Sequence, residues 1–204
     1  CAVDHEAFSA LLRRRSMTRS FADQVIDPAL LSKLLEGAMS APSAGNSRGV
    51  QAVVLTGEAR SRYWDAATDE DWRERSRRFA GMSRAGAVVL VLCNPEVYTA
   101  RYAEEDKASS GLGDEAAWPV PYWFGDAAFA TMALLLGAEA AGLGAAFLGT
   151  FRHEDAVLEA IGRHRPGRLF GTVLLGHPDG QDLPSASLTR AVPSKAERVT
   201  WLDS

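Results

Sequence analysis

Two arginines four residues apart could bind a flat, anionic ligand. Arg15 and Arg19 enclose the segment Ser16-Met17-Thr18, which follows a helical pattern and is itself read as extended. Guanidinium groups in an extended segment can converge on a phosphate or on an electron-rich ring edge, because each offers several N–H donors in one plane. The alternative is a solvated basic patch, which the spacing alone favours.

Two segments of small residues could bring the backbone close to a ligand. In the loop Pro42-Ser43-Ala44-Gly45-Asn46, backbone N–H groups and a hydroxyl could face an anion or a flat ring. In Leu148-Gly149-Thr150, the glycine removes a side chain at the end of a predicted strand, where a ring could lie against the backbone. The alternatives are an ordinary turn and an ordinary strand end.

Aromatic side chains flank a long polar stretch, residues 95–117. They are Tyr98, Tyr102, Trp118, Tyr122, Trp123 and Phe124, with Lys107 between them. A loop of this length in a compact domain is usually functional or disordered, so residues 95–122 are predicted to form a lid over a flat substrate. The alternative, which we favour for the aromatics, is hydrophobic anchoring of the loop.

Other chemistries have no pattern in this sequence. The four histidines, His5, His153, His164 and His177, lie far apart, and none has the spacing of a metal-binding pair. No G-x-S-x-G elbow or dinucleotide-binding fingerprint is present, and Cys93 follows an apolar run that predicts a buried, inert thiol. We therefore predict no metal and no catalytic side chain.

The elements that would position these residues are helices and short strands. Strands are predicted at 50–56, 85–93, 145–148 and 168–176, and helices at 4–15, 28–40, 57–67, 123–141 and 154–161. Asp4 and Asp27 are predicted helix N-caps, and Asn94-Pro95 is predicted to end a strand. Because helices and strands do not alternate strictly, the pattern indicates the α+β class.

The helix predicted at 123–141 has no polar face. Its residues 127–138 are almost all apolar, so the helix should be buried on all sides. Gly142 and Gly144 are predicted to stop it, and the apolar run is too short to span a membrane. Gly137 and the many alanines suggest a close approach of another element, for which a helix of a second copy of the chain is one candidate.

Composition indicates a single domain over residues 1–204. The chain is 47% hydrophobic and 24% charged, as in ordinary globular proteins, and its net charge of -4 gives no nucleic-acid footprint. The two cysteines favour a reducing compartment, so we expect a cytoplasmic location without membrane contact. Residues 177–204 have few large apolar side chains and read as an arm lying on another surface.

The order of these pieces resembles the nitroreductase family of FMN-dependent oxidoreductases. The resembling parts are RSMTRSF from Arg15 to Phe21, APSAGN from Ala41 to Asn46, the strand 51–55, the long helix running into Gly142-Leu143-Gly144, and LLGHP from Leu174 to Pro178. The resemblance implies an intertwined homodimer with a mixed central sheet flanked by helices. FMN would lie at the dimer interface, the long helix would pack across the dimer axis, and the arm would wrap the partner.

The resemblance also implies roles for individual residues. Arg15 would contact the FMN phosphate, and Arg19 would lie near the flavin pyrimidine edge. The family's cofactor contacts fall here on Arg15, Ser16, Met17, Arg19, Pro42, Ser43, Asn46, Leu148, Gly149, Thr150 and Arg190. The implied substrate or lid residues are Tyr102, Lys107, Trp123 and Phe124. Met17 departs from the family's usual serine, and Thr189 from a second basic residue beside Arg190.

The implied activity is electron transfer from NAD(P)H, through bound FMN, to a flat electron-poor acceptor such as a nitroaromatic or a quinone. One alternative keeps the flavin but assigns it other chemistry, such as that of a dehydrogenase. Another is a dimeric binding protein that has lost the cofactor.

Overall fold

The computed structural model describes residues 4–150, 153–162 and 167–202, so Cys1 and His164 lie outside it. The strands are β1 (Val50–Leu55), β2 (Ala87–Cys93), β3 (Gly144–Leu148) and β4 (Arg168–Gly176). The larger helices are α1 (His5–Arg14), α2 (Pro28–Met39), α3 (Glu58–Ala67), α6 (Pro95–Tyr102), α7 (Tyr122–Ala140) and α8 (Glu154–Ala160). Shorter helices are α4 (Glu70–Arg75), α5 (Phe79–Met82) and α9 (Lys195–Arg198).

The four strands form one sheet in the order β1-β2-β4-β3. Every neighbouring pair is antiparallel, so the prediction of a mixed sheet was wrong for the described chain. The physical reason is the insertion of β4. β2 and β3 run in the same direction, but β4 lies between them and pairs antiparallel with both.

The sheet separates two hydrophobic clusters, which confirms the α+β prediction. β2 is buried along its whole length. Its residues Ala87, Val89, Val91 and Cys93 pack on the side of α2 and α7. Its residues Val88, Leu90 and Leu92 pack on the other side, with α3 and α8.

Side-chain caps begin the first two helices as predicted. The Asp4 carboxylate accepts a hydrogen bond from the Glu6 backbone N–H at 3.2 Å, and the Asp27 carboxylate accepts one from Ala29 at 3.0 Å. Each cap satisfies a backbone donor that the first helical turn leaves unpaired.

The polar stretch 95–117 is not the continuous loop that the sequence predicted. Its first eight residues form α6, since the Asn94 side chain accepts from the Glu96 N–H at 3.1 Å and Pro95 occupies the first helical turn. Asn94-Pro95 was predicted only to end a strand, although the same pair is a good helix start. The rest of the stretch contains two short 3-10 helices, Ala108–Ser110 and Glu115–Ala117.

The long helix α7 lies against the sheet but is not covered on all sides by one chain. Leu134, Leu135 and Ala138 are buried, whereas Phe129 remains 55% exposed and Met132 39% exposed. A side chain at Gly137 would meet Leu34 at 3.1 Å, so the close approach there comes from α2 of the same chain. The expected burial of the whole helix is therefore not met within a single chain.

A glycine ends α7 as predicted. Gly142 has a φ of 72°, and the N–H of Leu143 donates to the Ala138 carbonyl at 2.9 Å. This left-handed turn is the usual helix stop, and it directs the chain at once into β3.

The C-terminal stretch 177–202 follows the surface of the domain. The Arg78 side chain donates to the carbonyls of Leu183 and Pro184, both at 3.1 Å. Farther along, Trp201 and Leu202 are 84% and 91% exposed. Exposed apolar side chains at the end of an arm are consistent with the predicted role on another surface, which stays a prediction.

A first prediction concerns Gly171 in β4. A methyl group there would lie 2.5 Å from the Phe147 ring and 2.9 Å from the Leu148 carbonyl oxygen, too close for either atom. We expect Gly171→Ala to lower the free energy of unfolding by about 1–3 kcal/mol in a urea titration. In the control Gly113→Ala, the new methyl lies 3.5 Å from Ala103, an ordinary contact. Equal effects of the two substitutions would contradict the packing described here.

A second prediction concerns Cys93, a free and buried thiol. Burial raises its pKa to about 12, against a weaker opposing effect of Arg168, so the reactive thiolate is scarce at neutral pH. In a Cys1→Ser variant, we expect Cys93 to react slowly with a disulfide reagent until the protein is unfolded by urea. Rapid reaction of the folded protein at pH 7 would contradict this.

Candidate functional site

The segment after α1 runs along the outer edge of β3. The Thr18 N–H donates to the Ala145 carbonyl at 2.8 Å, and the Phe147 N–H donates to the Met17 sulfur at 3.4 Å. Gly144 makes this approach possible, because a side chain there would lie 2.7 Å from Thr18. The segment is thus fixed beside the strand that ends at Leu148.

Arg15 carries an unpaired buried nitrogen. Its backbone N–H closes the last turn of α1 by donating to the Leu11 carbonyl at 3.1 Å. Its guanidinium Nη1 is buried and has no hydrogen-bond partner among the described residues. A buried charged donor without a partner is costly, so this nitrogen is a strong candidate for contact with an anionic ligand.

Arg19 is held at both its backbone and its side chain. Its N–H donates to the Asp182 carboxylate at 2.6 Å, and its Nη1 donates to the Met17 carbonyl at 3.1 Å. The guanidinium keeps further N–H donors for a ligand. Ser16, between the two arginines, is exposed.

Leu148, Gly149 and Thr150 line a cavity of about 510 Å³. The opposite wall is aromatic and comes from α3 and α4, with Tyr63, Trp64 and Trp72. Burial raises the pKa of Tyr63, and the nearby hydroxyls of Thr172 and Thr150 oppose this shift only in part, so the phenol is protonated at neutral pH. The cavity can therefore take a flat ring between aromatic side chains and a glycine-bearing backbone.

Sequence reasoning missed this aromatic wall. No element is predicted in the highly charged stretch 68–84, yet this stretch supplies Trp72, which lines the cavity, and Phe79, which packs against the wall. The rings of Trp64 and Phe79 meet edge to face at 5.5 Å, and those of Trp72 and Phe79 at 5.9 Å. The available signal was the recurrence of aromatics within a charged segment, which is typical of a helix with one buried face.

The loop 42–46 lies at a different cavity, of about 360 Å³. Pro42 and Ser43 line it together with Tyr102, Tyr122 and Phe129. This cavity and the larger one share no lining residue in the part of the chain that the structure describes. One chain therefore does not bring Ser43 to the same cavity as Gly149.

Hydrogen bonds from two helices fix the shape of this loop. The Asp126 carboxylate of α7 accepts from the Ala44 N–H at 2.9 Å, and Arg101 of α6 donates to the Gly45 carbonyl at 3.1 Å. Gly45 and Asn46 adopt positive φ values of 61° and 54°. The Ser43 hydroxyl accepts from the Arg48 N–H at 3.0 Å, so its proton remains available to a ligand.

The predicted lid aromatics mostly pack against one another. Tyr98, Trp118 and Trp123 are buried, and their rings lie 5.6–6.3 Å apart. This supports anchoring of the segment for these three residues. Lys107 lies over the Tyr102 ring at 5.7 Å, at the edge of the smaller cavity.

A row of aromatic rings leads from the lid towards β3. Phe124 lies 6.4 Å from Phe170, which lies 5.3 Å from Phe147. Phe147 in turn contacts Met17. Phe124, at the start of α7, is therefore connected to Met17 of the arginine segment through packed side chains.

Arg190 is not joined to the other predicted cofactor residues by a hydrogen bond or an ion pair within the described chain. It follows the 3-10 helix Ala186–Thr189, and its N–H donates to the Ser187 carbonyl at 3.3 Å. Its side chain is exposed. Its predicted phosphate contact stays a prediction.

The described residues contain no cluster of histidine, cysteine or carboxylate side chains that could hold a metal ion. In the same part of the chain, no helix has both the length and the apolar character that a membrane span requires.

Comparison with known proteins identifies the family. The model of the Nitroreductase family matches residues 11–177, more than three quarters of the chain. The chain belongs to the nitroreductase family. An oxidoreductase role follows from this membership.

Similar proteins come from several microorganisms. A protein of Archaeoglobus fulgidus, provisionally named an NADH dehydrogenase/NAD(P)H nitroreductase, is 27% identical and covers 96% of this chain and 99% of its own. The solved nitroreductase ydfN of Bacillus subtilis, also provisionally named, matches with a TM-score of 0.74 at 17% identity, covering 98% and 100% of the two chains. The nitroreductase CinD of Lactococcus lactis, solved with nicotinic acid, gives a TM-score of 0.68 at 18% identity, covering 92% and 100%. At these identities the solved structures establish the fold.

A third prediction concerns Arg101, which connects α6 to the loop 42–46. Besides Gly45, it binds the carboxylates of Glu104 and Asp106. We expect Arg101→Ala to speed hydrogen exchange of the amides in the loop 42–46, because the loop loses a charged donor. The control Arg62→Ala changes an exposed arginine of α3 and should leave these amides unaffected. Unchanged exchange in Arg101→Ala would contradict this coupling.

The same contact predicts a pH dependence. The hydrogen bonds from Arg101 hold the pKa of Asp106 below its usual range. A lowered carboxyl pKa means that the ion pair persists at and above the ordinary aspartate pKa and is lost only when pH falls through the lowered value. A carboxyl titration of Asp106 by NMR should show this, and Arg101→Ala should return the pKa towards normal. An ordinary Asp106 pKa in the unmodified protein would contradict the pair.

Proposed function

We propose that this nitroreductase binds FMN and passes electrons from NADH or NADPH to a flat electron-poor acceptor, such as a nitroaromatic or a quinone. The observation that carries the proposal is the buried Nη1 of Arg15, which has no partner among the described residues. Arg15 precedes Met17 and Thr18, which contact β3, and the end of β3 at Leu148 lines the cavity of about 510 Å³.

The residues present fit FMN. The Arg15 guanidinium would hold the phosphate, and the Arg19 guanidinium would face the pyrimidine edge of the ring system. The backbone at Gly149 would lie against the ring, since no side chain intervenes there. When bound, FMN would supply the hydride and electron transfer that amino acid side chains do not perform.

The chain's own residues bind and orient the reactants and provide charge. The positive charge of Arg19 would stabilise negative charge at the nearby ring edge. The aromatic wall of Tyr63, Trp64 and Trp72 would exclude water from one side of the cavity and stack on a flat ring. The phenol of Tyr63 would remain protonated, because burial raises its pKa.

The nicotinamide donor is supported by two relatives. The Archaeoglobus fulgidus protein carries NAD(P)H in its name, and the Lactococcus lactis nitroreductase was solved with nicotinic acid. Nicotinic acid has the same pyridine ring as the nicotinamide of the donor. We therefore assign NADH or NADPH as the reductant.

We further propose that two copies of the chain assemble into a homodimer. The exposed Phe129 and Met132 on α7 form an apolar surface that a second copy would cover, and Trp201 and Leu202 of the arm would pack on the partner. The second copy would also bring its loop 42–46 towards the cavity of the first, which one chain does not do. A cytoplasmic location is supported by the free thiol of Cys93.

The proposal is tested by reduction of the purified protein under anaerobic conditions. We expect bound flavin to lose its visible absorption when NADH or NADPH is added, and to recover it when a quinone or a nitroaromatic compound is added. Retained flavin that neither donor reduces would favour the alternative flavin chemistry. A protein that takes up no FMN would favour a flavin-free binding role.

A fourth prediction tests the role of Arg15. We expect Arg15→Ala to weaken FMN binding by roughly 10- to 100-fold, because the phosphate loses a charge-assisted hydrogen bond. The measurement is a fluorescence titration of the apoprotein with FMN. Arg13→Ala, which changes an exposed arginine of the same helix, is the matched control. Equal FMN affinity of the two variants would contradict the assignment.

A further inference from the structure

A second group of arginines lines a cavity that the proposed flavin site does not use. The cavity, of about 600 Å³, lies between residues 75–78 on one side and residues 183–185 of the C-terminal arm on the other. Its basic residues are Arg75, Arg77 and Arg78. We call it the arginine pocket.

The charges of the arginine pocket are not neutralised within the described chain. Arg75 donates to the Asp71 carbonyl, and Arg78 donates to the carbonyls of Leu183 and Pro184. Neither these two arginines nor Arg77 forms an ion pair with a described carboxylate.

Two arginines close in sequence, Arg73 and Arg84, do form ion pairs. Arg73 is paired with Asp65 at 3.0 Å, and Arg84 is paired with Asp179 at 2.8 Å. Arg75, Arg77 and Arg78 therefore place three positive charges around one cavity of a protein whose net charge is -4, and this local concentration of charge favours an anionic ligand.

The arginine pocket lies next to the segment proposed to hold the flavin. Asp182, which precedes the pocket residue Leu183, accepts from the Arg19 N–H at 2.6 Å. On the other side of the pocket, α5 follows Arg78, and its Gly81 carbonyl accepts from the Phe21 N–H at 3.2 Å. Both walls of the pocket are thus attached to the segment that contains Arg19.

The arginine pocket also adjoins the aromatic wall of the cavity that Leu148, Gly149 and Thr150 line. Trp72 lines that cavity and Arg75 lines the arginine pocket, and both lie on the short helix α4. The two cavities therefore adjoin each other at α4, and an elongated ligand with a flat ring at one end and a phosphate at the other could reach from one cavity to the other.

We propose that the arginine pocket binds the 2′-phosphate of NADPH and makes NADPH the preferred donor. This inference rests on the proposed function. A phosphomonoester carries up to two negative charges and several acceptor oxygens, which suits several guanidinium forks better than the single charge of each pyrophosphate phosphate does. The hydroxyls of Ser76 and Ser185, which also line the pocket, are further donors.

The first test measures binding without turnover. Adenosine 2′,5′-bisphosphate, which carries the 2′-phosphate but no nicotinamide, is titrated into the FMN-loaded protein by calorimetry. We expect Arg77→Ala to weaken its binding roughly tenfold or more, and Arg75→Ala/Arg77→Ala to weaken it further. Arg62→Ala, an exposed arginine of α3, should leave the affinity unchanged.

Control ligands identify what the pocket recognises. Adenosine 5′-monophosphate and inorganic phosphate should each bind much more weakly than the bisphosphate, and Arg77→Ala should have little effect on them. Equal affinity for inorganic phosphate would mean a general anion site and would overturn the proposal. Equal affinity of Arg77→Ala and Arg62→Ala for the bisphosphate would also overturn it.

The second test compares the two donors in flavin reduction. We expect Arg77→Ala to raise the KM for NADPH roughly tenfold while the KM for NADH and the FMN content stay unchanged. Loss of FMN from Arg77→Ala would assign the pocket to the flavin phosphate and overturn the proposal. If neither donor reduces the flavin, the proposed function fails, while the calorimetric result still decides whether the pocket binds the 2′-phosphate.

Discussion

The packing of α7 against the sheet and against α2 is the constraint on which the rest of the structure depends. Burial of an apolar helix is favourable by about 25 cal/mol per Å² of apolar surface, and α7 buries residues along nearly its whole length. From this fixed position, Asp126 near its first turn holds the loop 42–46. Gly142 beyond its last turn sends the chain into β3. One helix thereby positions both small-residue segments of the candidate site.

One chain leaves the candidate site in two parts. The loop 42–46 is attached near the beginning of α7, whereas Leu148, Gly149 and Thr150 lie at and beyond the end of β3. Among the described residues, the two cavities have separate linings. Phe129 lies at the smaller cavity and is also the most exposed large apolar residue of α7. A second copy that covers this surface would bring the two parts together without any rearrangement within the chain.

Local patterns predicted the elements well, because their signals involve residues close in sequence. Asp4 and Asp27 cap the starts of helices and Gly142 ends one, as their residue types predict. The four strands form where apolar runs predicted them. The mixed sheet was a wrong prediction, since strand direction depends on where β4 inserts and not on any local pattern. Helix α6 was missed because Asn94-Pro95 can end a strand and begin a helix at the same time.

The candidate site was predictable only in part from the sequence. The resemblance indicated Arg15 and Arg19, but not that Arg15 would keep a buried nitrogen without a partner among the described residues. The roles of Trp72 and of the arginine pocket were missed, because they arise when residues 68–84 meet the end of β3 and the C-terminal arm. Long-range contacts of this kind are set by tertiary packing, which no local sequence window contains.

The central claim, that two chains together form the flavin site, is tested most directly by sedimentation equilibrium of the FMN-loaded protein, followed at both the protein and the flavin absorption bands. The account predicts that both signals report the mass of two chains, and that flavin dissociates as dilution separates them. A single chain that sediments alone and keeps its FMN on dilution would contradict the account.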